Sequence, residues 1–180
     1  MNTRALFLLV FLIFPLIINA QHAQIIKAPE KLPQQDERIK IFLGGSIDMG
    51  TAEDWQQAVE TDLAAYDVIL LNPRRGDWNK DWKPVADEPE FRKQVEWELE
   101  ALEVADYIIM YFAPASLSPI SLLELGLYAR SDKLMVVCPE GFWRKGNVDI
   151  LSEKYQLENY KDLNSLLIAL KQKITAGDKE

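Results

Sequence analysis

The sequence predicts an α/β fold, a three-layer sandwich around a parallel sheet of four or five strands. Two observations carry this. Short runs that are apolar almost throughout recur along the chain: I-K-I-F-L (Ile39–Leu43), V-I-L-L (Val68–Leu71), Y-I-I-M-Y-F (Tyr107–Phe112) and L-M-V-V-C (Leu134–Cys138). Such runs suit strands buried on both faces. Segments of helical period lie between them, and strict alternation of this kind requires parallel pairing, right-handed crossovers and helices on both sides. The expected architecture is flavodoxin-like or Rossmann-like, with the ligand site over the C-terminal strand ends.

Met1–Ala20 stands apart from that pattern. Arg4 precedes an apolar run, Ala5–Ile18, and Asn19-Ala20 offers a small residue for cleavage. The run is short for a membrane span and contains Pro15. A cleaved signal peptide is expected, hence an exported protein with no stable membrane association after cleavage; an uncleaved N-terminal anchor is the alternative. Residues 21–38 are polar, with Pro29 and Pro33, and read as a linker. The domain proper is expected over residues 39–175, long enough for a real core.

The first strand, Ile39–Leu43, ends at Gly44-Gly45. A helix is expected over Thr51–Tyr66, with Trp55, Ala58, Val59 and Leu63 at helical spacing and Thr51 with Asp54 as a capping box. The second strand stops at Asn72-Pro73, and the polar, aromatic stretch Arg74–Glu88, with Trp78 and Trp82, reads as a long loop. Pro89–Val104 is a helix: proline suits its first turn, and Phe91, Val95, Leu99 and Leu102 form one face. After the third strand, Ser118–Arg130 is a helix with Pro119 at its start. Pro139 stops the fourth strand, and Tyr160–Thr175 is a final amphipathic helix.

Composition excludes much chemistry. The one cysteine, Cys138, permits no internal disulfide and no cysteine-based zinc site. The one histidine, His22, lies outside the folded domain as read, so a Ser-His-Asp triad, a Cys-His pair and a histidine-ligated metal are excluded. Asp48, Asp54, Asp77 and Asp81 fit no calcium loop. There is no P-loop and no G-x-G-x-x-G. The net charge of −8 argues against a nucleic-acid polymer as partner. Neither metal nor cofactor is expected, and acid–base work falls to carboxylates, tyrosines or lysines.

Two carboxylates stand out. Glu124 lies among Leu122, Leu123, Leu125 and Leu127 in S-P-I-S-L-L-E-L-G, on a helix that starts just past a strand end. Burying it there is costly without a partner. Glu98 shares the inward side of its helix with Phe91, Val95 and Leu102. Two such carboxylates facing one cleft can hold one proton between them and divide acid and nucleophile roles. Gly44 and Gly45 would let backbone approach a ligand, although a tight turn also explains them. Arg74 and Arg75 follow the second strand, where they would meet a phosphate or simply face solvent. Cys138 reads as a buried strand-end residue.

The chain carries G-G-S after the first strand, N-P-R-R at the second and V-E-W-E-L-E-A-L-E-V-A-D before the third. I-S-L-L-E-L-G and F-W-R-K-G-N-V-D follow. Over Ile39–Asp149 it resembles the nucleoside 2-deoxyribosyltransferase family, in its nucleoside 2-deoxyribosyltransferase-like branch. The resemblance implies that Glu124 attacks the anomeric carbon of a 2′-deoxynucleoside and forms a glycosyl ester, which a second base or water then resolves. It implies that Glu98 assists protonation of the leaving base, where typical members have Asp. Substrate contacts are expected from Gly44, Gly45, Ser46, Asn72, Arg74, Asp106, Ser118 and Asn147, and the resemblance implies a homo-oligomer in which neighbours complete each site. Two departures are visible: the Asp that typical members carry six residues before the nucleophile is Ser118 here, and no Tyr follows the glycine pair, where Ser46 stands. A nucleoside 5′-monophosphate N-glycosidase, if Arg74 or Arg75 enters the cleft, and a non-catalytic nucleotide-binding or sensing module are the alternatives.

Overall fold

A computed structural model describes residues 22–48 and 52–177. The expected signal segment and Thr51 of the expected capping box lie outside the described residues. The elements in chain order are β1 (Gln24–Lys27), β2 (Ile39–Gly45), α1 (Trp55–Asp62), β3 (Val68–Asn72), α2 (Pro89–Val104), β4 (Tyr107–Tyr111), α3 (Pro119–Tyr128), β5 (Leu134–Val137), α4 (Lys145–Tyr155), β6 (Glu158–Tyr160) and α5 (Leu163–Ala176). One sheet holds all six strands in the order β1-β3-β2-β4-β5-β6, every pair parallel. The three-layer α/β sandwich is as expected; the strand count is higher.

Both faces of the sheet are buried, as the apolar runs require. On one face Ile41, Leu43, Val68, Leu70, Ile109 and Val137 pack against Trp55 and Val59 of α1, Leu63 at its C-terminal cap, and Leu166, Leu167 and Leu170 of α5. On the other, Phe42, Ile69, Leu71, Ile108, Met110 and Val136 pack against Trp97, Ala101 and Leu102 of α2, Leu125 of α3 and Val148 of α4. Gly45 is demanded by the sheet itself. Its φ is +133°, and a Cβ there would sit 2.2 Å from the carbonyl oxygen of Tyr111, its register partner on β4.

Four expectations need correction. The stretch read as a linker supplies edge strand β1, whose Gln24–Lys27 pair with Ile69–Asn72, and it buries Ile26, Ala28 and Leu32. Helix α1 starts at Trp55 with Asp54 as its N-cap, the carboxylate accepting the amide N–H of Gln57 at 3.1 Å. The final helix begins at Leu163, because residues 158–160 pair with β5 as β6; Asp162 caps it, with Ser165 closing a capping box. Helix α2 has the expected bounds, but its buried stripe is Gln94, Trp97, Ala101 and Leu102. Leu99 is therefore exposed, rotated off the core by the 3.6-residue period.

Candidate active site

The chain leaves β2 for β3 on one side and later returns to pair β4 on the other. The crossovers diverge above the C-terminal ends of β2 and β4, which is where open α/β sheets bind ligands. Helices α2 and α3 both lie on the face of the sheet that carries Phe42 and Met110. Each brings one carboxylate.

Glu124 sits in the second turn of α3, and only 8% of its surface is exposed. Burial pushes its carboxyl up to about 8, with the nearby Glu98 carboxylate as the second cause. Glu98, half-buried on α2, is also raised by burial, an effect partly offset by a hydrogen bond that its Oε1 accepts from Nε2 of Gln94 at 2.8 Å. No cation contributes to either shift. The two side chains, 26 positions apart in sequence, thus lie near enough for the Glu98 charge to act on the buried Glu124 carboxyl, and in that sense form an acidic pair. Two carboxyls so placed resist ionising together, and near neutrality the pair retains a proton.

A chain of hydroxyls joins the end of β2 to the loop that leads into α3. Ser46, fully buried, accepts the amide N–H of Ala113 at 2.8 Å and shares a hydrogen bond of 2.6 Å with the Ser118 hydroxyl. Ser118 in turn pairs with Ser116 at 2.5 Å, and Ser116 donates to Oδ1 of Asp48 at 3.0 Å. Ser121 donates to the carbonyl of Gly45 at 2.8 Å. These bonds fasten the β4–α3 loop to the end of β2, so Ser46 and Ser118 act first as a latch that fixes where α3 begins. Ser118 adopts a left-handed backbone (φ 41°) as the residue before Pro119, which turns the chain sharply into the helix. Gly44 leaves the floor without a side chain: a Cβ there would meet Phe42 at 2.9 Å and the Met110 methyl at 3.2 Å.

Several residues expected at the site stand elsewhere. Strand residues alternate between faces, and Val68 and Leu70 pack with α1. Asn72 follows them: its Nδ2 donates to buried Glu60 of α1 at 2.6 Å, away from the acidic pair. Arg74 turns the same way. Its Nε donates to Gln56 at 3.2 Å and its Nη2 to the carbonyls of Ala52 and Glu53 at 3.1 Å each, which ties the loop to the start of α1. Arg75 is held by Asp77 at 2.8 Å and lies 4.9 Å over the Trp82 ring, itself edge-on to Trp78. Asp106 is at the wrong end of the sheet. It precedes β4 and accepts the N–H of Lys40, near the start of β2, at 2.8 Å, while Gly45 and Tyr111 mark the opposite edge.

Asn147, in the first turn of α4, borders a hollow of about 410 Å³ shared with Leu122, Leu125 and Arg144. The acidic pair does not line this hollow. The segment before α4 folds back on the β4–α3 loop: Phe142 packs on Phe112 with ring centroids 4.8 Å apart, and Trp143 Nε1 donates to the carbonyl of Leu117 at 3.0 Å. Cys138 is buried, its thiol pushed up to about 11 by burial, as suits a structural residue.

Sequence reasoning missed Gln94 and Asp48. Gln94 had a signal, its position four residues before Glu98 on one helix face. Asp48 had none, because its partner Ser116 is 68 residues away.

No curated protein matches the chain. The family model of nucleoside 2-deoxyribosyltransferase like proteins matches residues 38–142, which is more than half of the sequence and takes in the ends of β2 and β4, both carboxylates and the serine latch. The chain belongs to the nucleoside 2-deoxyribosyltransferase-like family.

Proposed function

We propose that the protein cleaves the N-glycosidic bond of 2′-deoxynucleosides, with Glu124 as nucleophile and Glu98 as the acid that serves the leaving base. The observation that carries this is the buried pair: two carboxylates on neighbouring helices, out of water, with one raised to about 8 beside the other. A carboxylate pair divides labour in this way in glycosyl transfer, and no metal is needed.

The proton bookkeeping is simple. Near neutral pH the pair holds one proton, and in the free protein it rests on Glu124. For attack, that proton passes to Glu98. The Glu124 carboxylate then adds to C1′ and the C1′–N bond breaks with its electron pair going to the base. Glu98 gives the proton to the base nitrogen. An ester on Glu124, a neutral base and an ionised Glu98 remain. A second base or a water then attacks C1′ and gives its N–H or O–H proton to Glu98, while the C1′–O ester bond breaks with its electron pair returning to the Glu124 carboxylate. The burial of Glu124 keeps bulk water from the ester, which favours transfer.

Arg74 and Arg75 are committed to internal contacts, so nothing favours the nucleotide monophosphate as substrate. Self-association is supported by the outer side of α3, where Leu117, Ile120, Leu123 and Leu127 are each more than half exposed. Apolar patches of this kind mark contact surfaces.

The test is a panel of 2′-deoxynucleosides with and without an acceptor base. Free base without acceptor identifies a hydrolase, and an exchanged nucleoside identifies a transferase. A 2-fluoroarabinosyl nucleoside should leave its sugar on the peptide that contains Glu124. An adduct on Ser46, Ser118 or Cys138 would refute the mechanism, and a protein that binds nucleosides but releases no base would be a binding module.

A further inference from the structure

Gln94 has an environment that packing alone does not explain. It is 5% exposed, on the buried stripe of α2. Its Nε2 donates twice, to the carbonyl of Pro73 at 3.0 Å and to Oε1 of Glu98 at 2.8 Å. Its own Oε1 is buried with no donor. The amide orientation is fixed by chemistry: the Pro73 carbonyl can only accept, so the nitrogen must face it. A buried acceptor without a donor is unfavourable, and an apolar side chain of similar size would avoid that cost. What an apolar side chain could not do is hold Glu98.

We propose that Gln94 is the positioning residue of the acidic pair: by donating to Oε1 of Glu98 it fixes that carboxylate and leaves Oε2 as the oxygen that takes and gives the proton. This rests on the reading of Glu98 as the acid. Three consequences follow from the geometry. Rotation of the Glu98 carboxylate is stopped, because Gln94 is itself anchored at Pro73. The ionised form of Glu98 is favoured while the site is empty, which leaves the shared proton on Glu124. Once the proton has crossed to Glu98 it sits on Oε2, because Oε1 already faces an N–H. The groups acting on the pair are few: Gln94 and the two carboxylates themselves, with Tyr128 one turn beyond Glu124 on α3 and raised partly by it.

The experiment uses Gln94→Met, which keeps length and removes the donor. Glutamate side-chain carboxyls labelled with carbon-13 are followed by NMR against pH in the whole mature protein, with Glu98 and Glu124 assigned from their Gln variants. In the unaltered protein Glu98 should ionise before Glu124; the reverse order overturns the proposal without any Gln94 variant having to fold. In Gln94→Met the Glu98 midpoint should rise by about one pH unit, the scale of one lost hydrogen bond to a carboxylate. The Glu124 midpoint should fall. An unmoved Glu98 midpoint overturns the proposal.

Turnover supplies the second arm. Release of adenine from 2′-deoxyadenosine, which needs a proton, should fall about ten- to a hundredfold in Gln94→Met, less than the whole contribution of a general acid because Glu98 itself remains. Release of 7-methylguanine from its cationic 2′-deoxynucleoside, which needs none, should change by less than about threefold on the same reasoning. Equal losses on both substrates overturn the proposal. A shifted midpoint in a protein that turns over neither substrate supports the placement of the proton by Gln94 and overturns the glycosidic reading instead.

Discussion

Replacing Glu124 with Gln tests the buried carboxyl directly, through stability. Glu124→Gln keeps shape and hydrogen-bonding capacity and removes ionisation. In the folded protein this carboxyl stays protonated up to about 8, against 4.5 for the ordinary group. Below pH 4.5 both folded and unfolded chains carry the proton, and its contribution to stability is complete. Between 4.5 and 8 the unfolded chain has released the proton while the folded chain still holds it, so stability declines as pH rises. Above 8 the decline is finished. The full difference corresponds to about 5 kcal/mol, and about 3 kcal/mol of it has been lost by pH 7. These are ceilings, because part of the shift is borrowed from Glu98. On a domain of ordinary stability that is a large share. Urea unfolding of parent and variant at pH 5, 7 and 8.5 measures it. The variant should be close to the parent at pH 5 and more stable by several kcal/mol at pH 8.5, with equal slopes in urea. A difference that stays constant within about 1 kcal/mol across that range would show that Glu124 ionises as an ordinary exposed carboxyl, and the argument for its burial would fail.

Gly45→Ala should lower the thermal midpoint steeply or prevent folding, at a cost above about 3 kcal/mol, since its Cβ would sit 2.2 Å from the Tyr111 carbonyl and its φ is positive; a variant that melts with the parent would contradict the strand packing described. Leu123→Lys with Leu127→Lys should shift the protein to monomer in sedimentation equilibrium, and an unchanged molar mass would leave the outer side of α3 without a role in assembly. Protein from its native host should begin near Gln21 by intact mass; a chain that keeps Met1–Ala20 in the membrane fraction would refute export by a cleaved signal.

The sequence was most legible where one signal acted alone. Pro89 opens α2 and a new apolar run closes it, and both bounds come out as read. Strand β1 escaped because only Ile26 of its four residues is buried, so it has no apolar run to see. Strand β6 is three residues with none buried. Helix α4 has Gly146 in its first turn and buries only Val148 and Ser152. At the site, the burial of Glu124 was legible from an apolar helix that starts past a strand end, whereas the inward face assigned to Glu98 rested on Phe91, Val95 and Leu102, and the buried stripe is Gln94, Trp97, Ala101 and Leu102. Asn72 and Arg74 could not be read, since a strand end near the cleft does not say which face its side chain takes. The partnership of Ser46 with Ser118 joins positions 72 apart, a contact that no local pattern encodes.

Helix α3 is ten residues long and has two duties. Its inner side holds Glu124, and its outer side exposes Leu123 and Leu127. In a helix of ten residues the period that turns one side inward fixes what the other side presents. The burial that raises the Glu124 carboxyl and the exposure of the two leucines are therefore set together, by the single orientation in which this helix lies on the sheet.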